Sequence, residues 1–348
     1  MTIQAKHIKI FKMRKTFFKF FILGFCLLPG NTLLWGQGGN SFPTGTGLVN
    51  CSGYTGCIKL ENDSVRVVLD PNCGGRVLEY SWKGRNIIAL NPEQDGWVYT
   101  KESPEIDPFG GRFDIGPELI IPKHPVLWVG RWQGKITGPR TARLTSQPDE
   151  ATGAQLTRDF ELVRNHSRLR ITQTIKNISG EKKEWCSWGR TLVLGGGICL
   201  VPLNPKSRFP KGYVIYEPGY RINLKPGNHP NVRIRDGILE ILGVPEQPKF
   251  GIDSNAGWLA YLTPDNLLFL KRFPVYPDRV YSEPAANTVS IFYVSDRAEL
   301  EPIGPREKIL PGKSVSYTEE WHLRPFPFPA AGKEPDLDAI RKIVSELN

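Results

Sequence analysis

Apolar and polar residues alternate in short runs along most of this chain. Ile58 and Leu60, then Val65, Val67 and Leu69, recur at every second position, with Asn62-Asp63 between the runs. A period of two is the signature of strands with one buried face. Pro71-Asn-Cys-Gly-Gly75 predicts a turn, Arg76–Trp82 a strand, and Lys83-Gly84 a turn into residues 86–90. The alternation returns over 135–144, 154–162 and 169–175, and Asn177-Ile-Ser-Gly180 turns into 183–193. Further strands are predicted over 257–270, 288–294, 298–301 and 314–323. Residues 91–130 and 202–233 are rich in Pro, Gly and polar side chains and read as long loops, the first as binding loops. Only 336–347 has helical periodicity, with Leu337, Ile340, Ile343, Val344 and Leu347 on one stripe. About fifteen strands with no helices between them predict an all-β fold, a large antiparallel sandwich with one short C-terminal helix.

Composition agrees. The 348 residues include 35 Gly and 30 Pro, which punctuate the chain too often for long helices. A hydrophobic content of 40% excludes both a multi-span membrane protein and a disordered chain. The formal net charge of +10 suggests a polyanion partner until it is located. Lys6, Lys9, Lys12, Arg14, Lys15 and Lys19 lie in residues 1–36, which contain no acid. Without that cluster the rest has no basic footprint for nucleic acid. The cluster precedes the apolar run Phe20–Leu28, a Pro29-Gly30 break and the small residue Gly36. Residues 1–36 therefore read as a cleavable signal peptide, with a periplasmic or secreted mature protein. Residues 37–50 read as a flexible linker, 51–325 as one β domain, and 326–348 as an extension carrying the helix.

Five cysteines follow the leader: Cys51, Cys57, Cys73, Cys186 and Cys199. Export allows bridges between Cys51 and Cys57 or between Cys186 and Cys199; the alternative is buried thiols. No CxxC, HExxH or histidine cluster is present, so no metal or cofactor is expected.

More specific residues lie near the two ends of the domain. Ala298–Pro305, followed by Ile309-Leu-Pro-Gly-Lys-Ser-Val-Ser-Tyr-Thr-Glu-Glu-Trp-His-Leu323, resembles the closing strands of galactose mutarotase-like proteins. Val65–Val77, followed by Trp82-Lys-Gly-Arg-Asn-Ile-Ile88, is similar to their opening. Phe109-Gly-Gly-Arg-Phe-Asp114 and Trp128 resemble a narrower domain-of-unknown-function group, DUF4380. The resemblance implies a supersandwich of two large sheets with a carbohydrate ligand on a concave face. It also implies a functional glutamate on the strand before Pro302. The five histidines do not stand in the strand contexts that aldose epimerases use.

Glu299 and Glu301 are two apart on one predicted strand, so they share a face. Neighbouring carboxylates repel, and one tends to keep its proton, which suits acid–base work. Glu301 is the expected general base and Glu299 the second choice, with His124 or Arg112 as partner acid. Arg112, Asp114 and Glu118, in one glycine-flanked loop with Trp128 close behind, are expected to bind sugar hydroxyls and stack on a ring. His124, between Lys123 and Pro125, is expected to be exposed. Arg190, Arg208, Lys271 and Arg272 are candidates to line an anionic-sugar site or to be rim charges. His166 and His322 read as structural. Two function classes stay open. One is an exported epimerase-like or lyase-like enzyme acting by proton transfer; the other is a non-catalytic carbohydrate-binding or cell-surface scaffold protein.

Overall fold

The structure is a computed structural model and describes residues 42–219 and 221–347. The expected signal peptide, and the linker up to Ser41, lie outside the described residues. Among those described, thirteen strands form one sheet and ten form a second, with antiparallel neighbours in both. Inward residues of both sheets meet in one core that includes Leu60, Val67 and Ile115 from the first sheet, and Leu156, Ile171 and Phe269 from the second. Trp321, Tyr80 and Phe269 pack ring to ring across it, with centroids 5.5–5.9 Å apart. Burying each such side chain contributes roughly 1.5–3 kcal/mol. The predicted helix forms over Leu337–Glu346, its first turn capped by Asp336, whose side chain accepts from the Ala339 amide at 2.9 Å. Its Leu337 and Ile340 pack on Ile198, Leu200, Leu268 and Leu270 of the ten-stranded sheet, away from the main core. No described helix is long and apolar enough to cross a membrane.

Twenty-three strands form among the described residues, more than the roughly fifteen expected. Short ladders account for much of the difference. Tyr213–Glu217, Arg221–Asn223 and Val232–Arg235 occupy a segment expected to be loop. Thr46–Cys51 pairs with Tyr54–Glu61, so strand begins inside the expected linker. A third case matters more. Gly111–Gly116 lies in the expected loop, yet it pairs along Cys186–Thr191 in the thirteen-stranded sheet. All six of its residues are buried, so no exposed polar face marks it as a strand.

The five cysteines are free. In the first hairpin Cys51 lies opposite Tyr54 and Cys57 opposite Val49, so the two thiols are not cross-strand partners. Cys186 and Cys199 belong to different sheets. Neither bridge forms; Cys57, Cys186 and Cys199 are buried thiols and Cys51 is half-buried, and burial raises the Cys57 thiol to about 12.

Candidate functional site

Five neighbouring strands build one polar face in the middle of the thirteen-stranded sheet. Along the Lys183–Leu194 strand, Arg190 lies opposite Arg112 and Trp188 opposite Asp114. On its other side Leu192 lies opposite Glu299 of Arg297–Pro302. Glu301 then faces Ser290, Glu299 faces Phe292, and Phe292 faces Lys249. Cross-strand partners and residues two apart share a side of a sheet, so these form one patch opposite the core. Two cavities open on it. One of 360 Å³ is lined by Tyr99, Ile106, Asp114, His124 and Trp128, among others. One of 610 Å³ is lined by Lys249, Glu283, Ser290, Phe292 and Glu299, among others. Both include Glu118, Trp188 and Arg190, so they are two lobes of one cleft.

Charge on the floor is tightly matched. Arg112 donates to Glu299 Oε1 at 3.1 Å, and Arg190 donates to Glu299 Oε2 at 3.1 Å. Arg112 also pairs with Asp107. Burial alone would push the Glu299 carboxyl up, but Arg190 and Arg112 hold it well below the usual carboxylate range. Glu301 lies beneath the cleft. It is fully buried, accepts from the Trp188 indole at 2.9 Å, and binds Lys249 Nζ through both oxygens at 2.9 and 2.8 Å. Burial raises its carboxyl above the ordinary value, the Lys249 ammonium opposes this, and the Glu299 charge adds to it. Trp128 has the Arg112 guanidinium 4.3 Å and the Arg190 guanidinium 4.9 Å from its ring centre. Its ring is thus already used for cation–π packing.

His124 is mostly buried, against the expectation of exposure. Its Nε2 lies 2.8 Å from Asp114 Oδ1 and its Nδ1 lies 2.8 Å from the Pro122 carbonyl. Both partners are acceptors, so both ring nitrogens must donate and the ring is imidazolium. Burial pulls its pKa down, but the hydrogen bond and charge of Asp114 outweigh this and raise it to about 9. A histidine raised from 6.5 to about 9 gives stability that is complete below pH 6.5 and lost as pH rises to 9. We expect His124→Gln to remove a pH-dependent component on the order of 2–3 kcal/mol. Denaturant midpoints measured at pH 6 and pH 9.5 check this. A wild-type difference that survives undiminished in the variant would assign it elsewhere.

Glu283 is the first of two residues that the sequence reading missed. It sits at a corner where Ala285 and Ala286 adopt φ of 63° and 51°, a left-handed conformation that costs alanine energy. Its Oε1 accepts from the Glu118 amide at 2.9 Å. Gly116 makes room for it, since a Cβ there would lie 2.1 Å from Oε1. Burial, then the neighbouring Glu118 charge, raise the Glu283 carboxyl to about 7 despite that hydrogen bond and Lys249. Lys249 was missed as well; on a four-residue strand, Lys249–Ile252, it gives no periodic signal.

The structure thus brings together Arg112, Asp114, Glu118, His124, Trp128, Arg190, Glu299 and Glu301 around one cleft. It leaves three sequence candidates outside. Lys271 is fully buried between the sheets, 2.9 Å from Glu319, and so reaches no ligand on the outer face. Arg272 follows it on the ten-stranded sheet, and its guanidinium donates to the Leu347 carbonyl at the end of the C-terminal helix. Arg208 binds Asp253 and lines neither lobe. His322 is buried, and burial beside several arginines lowers it to about 4.

With two large antiparallel sheets and a polar cleft on one of them, the protein has the galactose mutarotase-like fold. It is similar to a galactose mutarotase-like protein from Clostridium acetobutylicum, with a TM-score of 0.54 at 12% identity over 81% of this chain and 98% of that one. A galactose mutarotase-like protein from Lactobacillus casei ATCC 334 gives 0.54 at 9% identity, over 77% of this chain and 100% of that one. A Synechocystis sp. PCC 6803 protein gives 0.53 at 15% identity, over 80% and 99%. No family model and no curated protein sequence matches the chain. At these identities the likeness is one of fold.

Proposed function

We propose that the protein binds a sugar in the larger lobe and moves protons at its anomeric end. The observation that carries this reading is a pair of carboxyls in one cavity held in opposite states. Glu299 is kept ionised by two guanidinium groups, while Glu283 is raised to about 7 and holds a proton near neutrality. Environments that push two titratable groups apart assign the base and the acid. Glu299 takes the proton of the anomeric hydroxyl as Glu283 protonates the ring oxygen. The bond between the anomeric carbon and the ring oxygen breaks, leaving an open-chain aldehyde. Rotation and the reverse transfers close the ring as the other anomer. Glu301, locked to Lys249 and Trp188, positions the floor rather than touching the ligand. The narrower likeness to DUF4380 rests on Phe109–Asp114 and Trp128 alone. Export of the mature protein after cleavage near Gln37 remains part of the reading, on the strength of the leader composition.

Polarimetry of freshly dissolved α-glucose and α-galactose tests the chemistry. We expect mutarotation faster than the buffer rate in proportion to protein concentration. Binding of a hexose by calorimetry without any acceleration would instead make the protein a non-catalytic carbohydrate binder.

A further inference from the structure

The two lobes of the cleft differ in chemistry. The smaller is walled by Tyr99, Ile106, Ile121, Pro125, Trp128 and Val129. Most of its charged side chains are already matched. Lys123 pairs with Glu105 at 2.6 Å, His124 with Asp114 at 2.8 Å, and Arg190 with Glu299 at 3.1 Å. A hydroxyl-rich ring placed there would give up water for apolar walls and find few partners. The larger lobe also carries matched charges, Lys249 with Glu301, Arg297 with Asp296 and Glu299 with two arginines, but it adds a carboxyl that is not ion-paired among the described residues. It holds Glu283, only 5% exposed, whose Oε2 has no hydrogen-bond partner among the described residues. With Oε1 accepting from the Glu118 amide, the acid's proton sits on Oε2, which awaits an acceptor on a ligand. The lobes share Glu118, Trp188 and Arg190, so one ligand can span both.

We propose that the ligand is a hexose carrying an aryl or acyl substituent, with the sugar in the larger lobe and the apolar group in the smaller. This inference rests on the sugar reading above. Proton transfer requires a free anomeric hydroxyl between Glu283 and Glu299, so the substituent is attached elsewhere on the ring, at O4 or O6. The occupied charges of the smaller lobe accept it without losing a partner. Its apolar walls gain what burial of an aromatic or alkyl group supplies.

Matched probes test this by calorimetry: unsubstituted, 6-O-methyl and 6-O-benzyl forms of glucose and galactose, with the 4-O series alongside. At least one benzyl ether should bind about tenfold tighter than its methyl partner, the gain expected for burying much of a phenyl ring. Ile121→Asn should shrink that ratio towards one. Ile106→Asn serves as the second wall variant if the first fails to fold by circular dichroism. Equal affinity of benzyl and methyl ethers in both series overturns the inference and leaves the sugar reading intact. No binding of any hexose, substituted or not, overturns both.

Discussion

Glu283→Gln should lower mutarotation about 10²–10⁴-fold while leaving the fold in place. The amide keeps an oxygen that can accept from the Glu118 backbone N–H, so the corner at Pro284–Ala286 retains its anchor. What disappears is a proton that can be given and taken back near neutrality. In the wild type, activity should fall as pH rises through about 7, because Glu283 loses the proton that it must donate. The variant should lack that limb. Stability supplies an independent readout with a definite sign. A carboxyl raised from 4.5 to about 7 in the folded state binds its proton more tightly there than in the unfolded chain. Wild-type stability therefore falls between pH 4.5 and 7 and stays lower above it. Glu283→Gln should be more stable than wild type at pH 8, by on the order of 3 kcal/mol, and differ little at pH 4.5. Slower turnover together with higher stability at pH 8 marks a strained functional acid. A variant of unchanged rate, or one destabilised at pH 8, would remove Glu283 from the reaction. Glu299→Gln should also lose the rate, but with a stability cost, because it leaves Arg112 and Arg190 without their shared carboxylate.

The sandwich was legible in the sequence because most of its strands have one buried face. Ala154–Leu162 and Leu169–Asn177 alternate along nearly their full lengths, and the pairing follows. The shared face of Glu299 and Glu301 was legible for the same reason. Legibility failed where burial comes from both sides. Arg112 and Asp114 sit on a strand whose polar side faces flanking loop residues such as Tyr99, Ile106, His124 and Trp128, and such a strand carries no alternation to read. It failed again in depth. Two glutamates on one face look equivalent in sequence, yet Glu299 lines the larger lobe and Glu301 lies under Trp188 and Lys249. That distinction depends on Lys249, which is 52 residues away from Glu301 along the chain. Glu283 was hidden for a third reason. Its pKa comes from burial against Gly116 and Cys186 and from Glu118, none of which is near it in sequence. Lys271 and Arg272 were drawn towards the site by their charge, but the register places one inside the sandwich and the other against the C-terminal helix.

Lys271→Met should cost about 3–5 kcal/mol of stability, the range for removing one partner of a buried ion pair. Lys271 Nζ lies 2.9 Å from Glu319 Oε2 and donates to Thr191 Oγ1 at 3.0 Å and to the Leu300 carbonyl at 3.0 Å. All three ammonium protons are thereby used in a site without water access, the condition under which such a pair is tolerated. Burial lowers the Lys271 pKa, and the Glu319 charge opposes that loss. Glu319 also accepts from Gln173 at 2.9 Å and from the Trp321 indole at 3.0 Å. It reaches this place because Gly189 has no side chain, a Cβ there falling 1.9 Å from Glu319 Oε1. Methionine fills the volume of the lysine stem but leaves Glu319 charged and without its cation. Adding Glu319→Gln removes that stranded charge and keeps acceptors for Gln173 and Trp321, so the double variant should recover much of the loss. Denaturant unfolding of both single variants and the pair gives the coupling energy. A single-variant loss below about 1 kcal/mol would show that the pair adds nothing over apolar packing. The same ammonium ties the core to the cleft. Leu300 stands between Glu299 and Glu301, and Thr191 follows Arg190. Lys271 thus grips the backs of the two strands whose fronts carry the carboxylates and the guanidinium. Loosening that grip should weaken hexose binding in Lys271→Met even at temperatures where the variant remains folded.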